Sequence, residues 1–181
     1  NFVIGCGVMV VAGTLNDLAR SLQVSVALAG QLITIGAVVM GLCAPLLANW
    51  VAGFDRRRLL AFALAWYAVG HALSALMPDY AALAPMRALC MLGAAVFTPQ
   101  AAAAIGHMTA PEQRGRAITF VFLGWSLASV AGMPIAAWIG ETFGWRMAFM
   151  VVGLPGLAAA LLTRLTLREP LRGASDPRSD A

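Results

Sequence analysis

One ionisable side chain, Arg87, stands well inside a long apolar run of this 181-residue chain. On insertion scales a charged group near the centre of a hydrocarbon layer costs about 2.5–3.5 kcal/mol, so an arginine kept there needs a reason. Two readings stand. Arg87 lies about six residues, or roughly 9 Å, from the nearer end of its predicted helix, so it can reach that surface as an anchor or sit in a structural ion pair. Alternatively, it handles an anionic group or a proton in a pathway. Helical spacing puts Cys90, Met91, Ala94 and Thr98 on the same face as Arg87, and that face is soft and mostly apolar.

The other candidates for chemistry are thinner. Asp17 and Glu141 stand near the ends of apolar segments, and the remaining acidic residues lie in loops or the tail. His71 has the pKa range to change charge near neutral pH, and its apolar surroundings favour a packing histidine. Cys6, Cys43 and Cys90 each lie in an apolar run without metal-type spacing, and they read as small buried apolar side chains. No metal or cofactor is expected. Gly124-Trp125-Ser126 faintly resembles a nucleophile turn, but no histidine follows His107. No catalytic residues are assigned, and the chain is not read as an enzyme.

The elements that must position these residues follow from composition. Hydrophobic residues make up 61% of the chain and charged residues 11%, against roughly 25% charged in soluble domains. The mean hydropathy is +0.82. The 18 glycines and 9 prolines sit within apolar runs, as membrane helices tolerate. These features exclude a water-soluble globule and predict an all-α membrane protein. A bilayer core of ~30 Å needs roughly 20 helical residues. Six segments meet or approach that length, at about 1–18, 25–50, 59–77, 81–107, 117–139 and 147–166. Residues 1–167 thus read as a six-helix bundle, and 168–181 as a flexible cytoplasmic tail or the start of a central loop. Asn1 opens without an initiator methionine or a basic flank, so it is not expected to be the natural start.

Loop chemistry supports these breaks. Asp79 is placed to cap the fourth segment, and Thr109 to Glu112 has capping-box spacing before the fifth. Gly140 to Gly144 separates the fifth from the sixth. All twelve basic residues are arginine. Arg56, Arg57, Arg58, Arg114, Arg116, Arg164, Arg168, Arg172 and Arg178 fall on one side of the predicted topology, and only Arg20 and Arg146 on the other. That bias puts both termini in the cytoplasm and makes the net charge of +4 a topology signal, without a nucleic-acid partner. In the fifth segment Gly124, Ala128, Gly132, Ala136 and Gly140 recur every four residues. Such a stripe lets helix backbones approach closely, either as ordinary packing or as a sliding surface. Pro134 is expected to bend this helix.

Four stretches resemble the major facilitator superfamily, specifically the bacterial drug and sugar efflux branch of drug:proton antiporters. Phe2 to Ala19, with Gly5, Gly13 and Asp17, is similar to that branch's first span. Phe54-Asp55-Arg56-Arg57-Arg58-Leu59-Leu60 resembles its basic loop between spans two and three, and Pro111 to Ala117 its loop between spans four and five. Gly132-Met133-Pro134, then Gly144-Trp145-Arg146 and Phe149, resemble the antiporter motif and the entry to span six.

The resemblance implies a fold of two six-helix bundles, each of inverted three-helix repeats, with substrate between them and access alternating as the halves rock. This chain would be the amino-terminal half, its first, second, fourth and fifth spans facing the cavity. The implied function is secondary active efflux of small, drug- or sugar-like molecules across the bacterial inner membrane. The partners are the lipid bilayer, the substrate, protons as a further candidate, and a carboxy-terminal half or a second copy of the chain. The alternative is a non-transporting six-span protein or remnant acting as an assembly partner.

On this reading the Arg87, Met91 and Thr98 face becomes a cavity wall suited to hydrophobic or amphipathic substrates. Gln31 and Thr34 on the second span, with Trp125, Ser126 and Ser129 on the fifth, are further cavity candidates or hydrogen-bonding residues between helices. Asp55, Arg56, Arg57 and Arg58 form either a charge-paired cytoplasmic gate or plain topology determinants. Gly132 and Pro134 belong to the antiporter-motif packing. If coupling uses a protonatable carboxylate, it is expected outside this chain.

Overall fold

The computed structural model describes residues 1–166, all α-helices and short connections. The tail assigned to 168–181, with Arg168, Arg172 and Arg178, lies outside the described residues. Eight helices follow in order: α1 (Phe2–Gly13), α2 (Leu15–Ser21), α3 (Val26–Val51), α4 (Arg56–Ser74), α5 (Tyr80–Met108), α6 (Arg114–Leu127), α7 (Met133–Phe143) and α8 (Trp145–Thr166). A 3-10 turn, Pro111–Gln113, leads into α6, and a π turn, Ala128–Gly132, joins α6 to α7.

Four of the resulting segments are long and apolar enough to cross a membrane: α3, α5, α8 and the continuous stretch Pro111–Phe143. The pair α1 and α2 qualifies as one span bent by 58°. Helix α4 falls short of that hydropathy because it opens on Arg56, Arg57 and Arg58 and carries Tyr67, His71 and Ser74. Its polar groups past the opening arginines, however, face inward. It runs antiparallel to α5, with Gly70 against Cys90 and Ala63 against Gly93, and antiparallel to α8, with Ala68 against Gly156. Helix α4 is thereby held along two of the membrane-length helices.

Capping chemistry explains the starts of three helices. Ser25, Asp55 and Asp79 each accept a hydrogen bond from the backbone N–H three residues on, at Leu28, Arg58 and Ala82, which satisfies a donor the helix cannot. The capping box expected at Thr109 does not form. Its hydroxyl donates back to Ile105 O at 2.8 Å and closes α5, while Glu112 lies in the 3-10 turn. A threonine that follows a complete helical turn finds an unpaired carbonyl nearer than the next helix's amides.

At Pro134 the hydrogen-bonding pattern of the helix changes. Having no N–H, the proline leaves a carbonyl of the preceding turn without a donor. The helix widens ahead of it into a π turn, in which the Met133 N–H bonds to Ala128 O, and the helical span continues through it to Phe143. A sharp bend lies in span one, at Thr14. Gly140 does not break the fifth span: α7 runs to Phe143, and only Gly144, with φ +87°, turns the chain into α8.

Candidate functional site

Span five and span one meet along a seam of small residues, parallel to each other. A Cβ on Gly124 would lie 2.8 Å from the Phe2 nitrogen, one on Gly132 2.8 Å from Cys6 Sγ, and one on Gly140 2.8 Å from Thr14 Cγ2. Facing them, Gly5 abuts Ala128 and Gly13 abuts the Met133 carbonyl. The stripe is thus used inside the bundle, where close backbone approach supplies the dispersion contact that lipid cannot outcompete.

That seam presents the opposite face of α1 to α4 and α5, where Arg87 sits. Its side chain is 1% exposed. Nη1 donates to Gly7 O at 2.9 Å and to His71 Nε2 at 3.2 Å, and Nη2 donates to Val8 O at 3.3 Å. Nε is buried without a partner and faces Gly36 on α3. Arg87 therefore joins α1, α3, α4 and α5. The one salt bridge among the described residues is Arg20–Asp17, so carbonyl dipoles and a neutral imidazole solvate this cation in place of a carboxylate.

Each His71 ring nitrogen has two neighbours. With Arg87 donating to Nε2, the ring proton falls on Nδ1 and is directed at Tyr67 O, 3.0 Å away. The other tautomer donates from Nε2 to Gly7 O at 3.1 Å, with Nδ1 3.1 Å from Cys90 Sγ. Tyr67 donates its hydroxyl to Ile4 O at 2.8 Å. Carbonyls 4, 7 and 8 share one face of α1, so three donors from α4 and α5 converge on one stripe of backbone. Each carbonyl keeps a second lone pair for its own helix. Ring contacts extend the cluster: Tyr67 to His71 at 4.4 Å, His71 to Phe149 at 5.7 Å and Phe149 to Trp145 at 5.4 Å.

The helix face that carries Arg87 lies within the bundle. Cys90, Met91 and Ala94 are fully buried, Cys90 against Gly70 of α4 and Met91 against Gly36 of α3. Lacking an acidic partner, Arg87 turns toward backbone carbonyls and takes its helix face inward with it. Thr98 is half-buried, its hydroxyl unpartnered. The other candidates lie elsewhere. Gln31 and Thr34 are exposed on α3, where the Tyr80 hydroxyl donates to Gln31 Oε1 at 3.4 Å. Trp125 is half-buried against the core, and its carbonyl accepts from Ser129 Oγ at 3.2 Å. Ser126 opens into an apolar groove with Phe2, Leu123 and Val130.

At the arginine-rich end, Asp55 caps α4, and Arg57 donates through Nε (2.7 Å) and Nη2 to Arg164 O at the end of α8. A cation is favourable at that helix terminus. Arg56 Nη1 is buried without a partner. At the opposite end, Asp17 Oδ2 accepts from the Trp145 N–H at 2.7 Å and so caps α8 from span one. Arg146 lies over the Trp145 ring at 4.4 Å and donates to Met77 O at 3.0 Å. Asp17→Ala is expected to lower unfolding stability by about 0.5–2 kcal/mol, and Asp17→Asn to recover most of it because an amide oxygen still accepts. Denaturant titration of the purified protein measures both.

The described residues thus form a bundle of close-packed apolar helices with a buried, carbonyl-solvated arginine inside it. The family model for the Major Facilitator Superfamily matches residues 1–181, and the chain belongs to that family. It is 37% identical over 157 residues to a chloramphenicol efflux pump of Mycobacterium tuberculosis, covering 87% of this chain and 38% of that protein. It is 32% identical over 179 residues to a probable sugar efflux transporter of Mannheimia succiniciproducens, covering 98% of this chain and 45% of that one. Among solved structures, an inward-facing, occupied bacterial homologue of the human lysosomal transporter Spinster shares the fold. Its TM-score is 0.75 at 24% identity, over 98% of this chain and 44% of that chain. The chain spans less than half the length of the curated relatives it matches, and it corresponds to their amino-terminal half.

Proposed function

We propose that this chain is the amino-terminal half of a secondary active exporter in the bacterial inner membrane, acting by alternating access on small drug- or sugar-like molecules. Family membership over the whole chain carries the reading, and the efflux pumps among the relatives direct it toward export. Arg87 supports it physically, because a buried arginine without a counterion is costly unless its charge is used. The exposed polar groups of α3 and of the π turn after α6, including Gln31, Thr34 and Ser129, are the groups that substrate meets first. A carboxy-terminal half completes the cavity, and protons drive the exchange through a carboxylate in that half. Both termini face the cytoplasm.

Export of chloramphenicol from cells that express the intact native polypeptide tests the proposal, with a sugar analogue in parallel. Accumulation that falls only when the protein is present and the membrane is energised supports it. Accumulation unchanged for both compounds directs attention to the assembly-partner reading. In the same assay Asp55→Asn is expected to slow export with normal membrane insertion. Asparagine keeps the α4 cap while the charge that would pair across a cytoplasmic gate is lost.

A further inference from the structure

A groove of about 910 Å³ runs between α4 and α8 at the arginine-rich end of the bundle. Its composition changes with depth. Arg57, Arg58 and Arg164 stand at the rim with Asp55 as the only acid. One to two turns inward the floor is made of alanines 61, 65 and 160, which leave room, between the flanking side chains of Phe62 and Leu161. Those two flanks are 65% and 58% exposed, a large apolar surface on two helices whose opposite faces are buried against the rest of the bundle.

The charge at the rim is not spent within the described residues. Arg57 is engaged with the Arg164 carbonyl, and by capping α8 it offsets the negative end of that helix. The Asp55 carboxylate accepts from the Arg58 backbone N–H. The guanidinium groups of Arg58 and Arg164 are exposed and make no hydrogen bond or salt bridge among the described residues. An occupant must therefore carry an anionic head at the membrane surface and an apolar body directed into the hydrocarbon. A free phosphate satisfies only the rim, and an uncharged lipid only the walls.

We propose that this groove binds an anionic phospholipid, its phosphate between Arg58 and Arg164 and its acyl chains along Phe62 and Leu161. Basic pockets between membrane helices at the cytoplasmic surface take such headgroups, and each arginine near the surface contributes about a fivefold gain in affinity. The site is separate from Arg87 and independent of what the protein exports.

The intact native polypeptide in neutral detergent is titrated with phosphatidylglycerol, phosphatidylcholine or inorganic phosphate, and bound lipid is counted by native mass spectrometry. Phosphatidylglycerol is expected to be retained over phosphatidylcholine. R58Q/R164Q is expected to bind phosphatidylglycerol roughly 30-fold more weakly and phosphatidylcholine unchanged. Equal retention of the two lipids by the unmodified protein overturns the proposal, as does a double variant that binds like the parent. Displacement of phosphatidylglycerol by equimolar inorganic phosphate also overturns it, by reassigning the rim to a soluble anion. The comparison of lipids on the unmodified protein stands without any variant, and the single variants R58Q and R164Q, each about fivefold, repeat the test if the double variant elutes abnormally.

Discussion

Arg87→Leu is expected to abolish export while leaving the folded bundle about as stable as the parent. Breaking a buried ion pair costs about 3–5 kcal/mol because a charge is stranded, but Arg87 strands none. Its acceptors are Gly7 O, Val8 O and His71 Nε2, and both carbonyls belong to α1, whose own ladder still uses them. Only the imidazole nitrogen loses its donor, at about 1–3 kcal/mol for a buried polar atom. Replacing arginine by leucine returns at most about 3 kcal/mol, the insertion-scale value at a helix centre, and less at the position of Arg87 nearer the helix end. The two nearly cancel. Measuring the denaturant midpoint and the export rate on the same membranes separates the roles: a stable, inactive variant supports a pathway role. A variant that unfolds, or one that still exports, makes Arg87 a structural anchor.

The second large effect concerns two glycines expected to respond to alanine with opposite signs. A Cβ on Gly7 would meet the Tyr67 hydroxyl and lie 2.6 Å from His71 Cε1 and Nε2. Neither ring can retreat, since Tyr67 is tied to Ile4 O and His71 to Tyr67 O and Arg87. Overpacking of this kind costs about 1–3 kcal/mol, and Gly7→Ala is expected at the upper end because it also disturbs the arginine's acceptors. Gly30 lies in α3 with nothing within 4 Å of its Cβ position. There alanine gains up to about 1 kcal/mol of helix propensity. Denaturant titration of both variants gives the two signs, and a mild Gly7→Ala would mean that the Arg87 cluster is loosely held.

These effects show which features a sequence exposes. The crossing segments are legible because the bilayer demands about 20 apolar residues in a row, and five of the six predicted runs coincide with helices, or a helix pair, that meet that demand. The Asp79 cap is legible because it is local. Arg87 stands out by charge alone, but its partners do not. They are main-chain carbonyls of α1, and a backbone acceptor leaves no mark in residue type. His71 is hidden for the same reason, its role depending on a histidine and an arginine sixteen positions apart meeting across two helices. The Asp17–Trp145 cap joins residues 128 positions apart. The role of Thr109 is not legible from its spacing, since a competing hydrogen bond to Ile105 O within the preceding turn decides it.

The glycine seam between span one and span five also sets the order in which the protein can be assembled. Gly5 and Ala128 are packed against each other, yet synthesis at about 5–20 residues per second puts roughly 6–25 s between them. For that interval the first helix is in the membrane with its smooth face uncovered, while α3, α4 and α5 are inserted after it. Span one therefore docks early through the carbonyls that receive Tyr67 and Arg87, and its other side is closed only when span five arrives. A nascent chain arrested before Ala128 would leave that face open to whatever neighbour the insertion machinery offers.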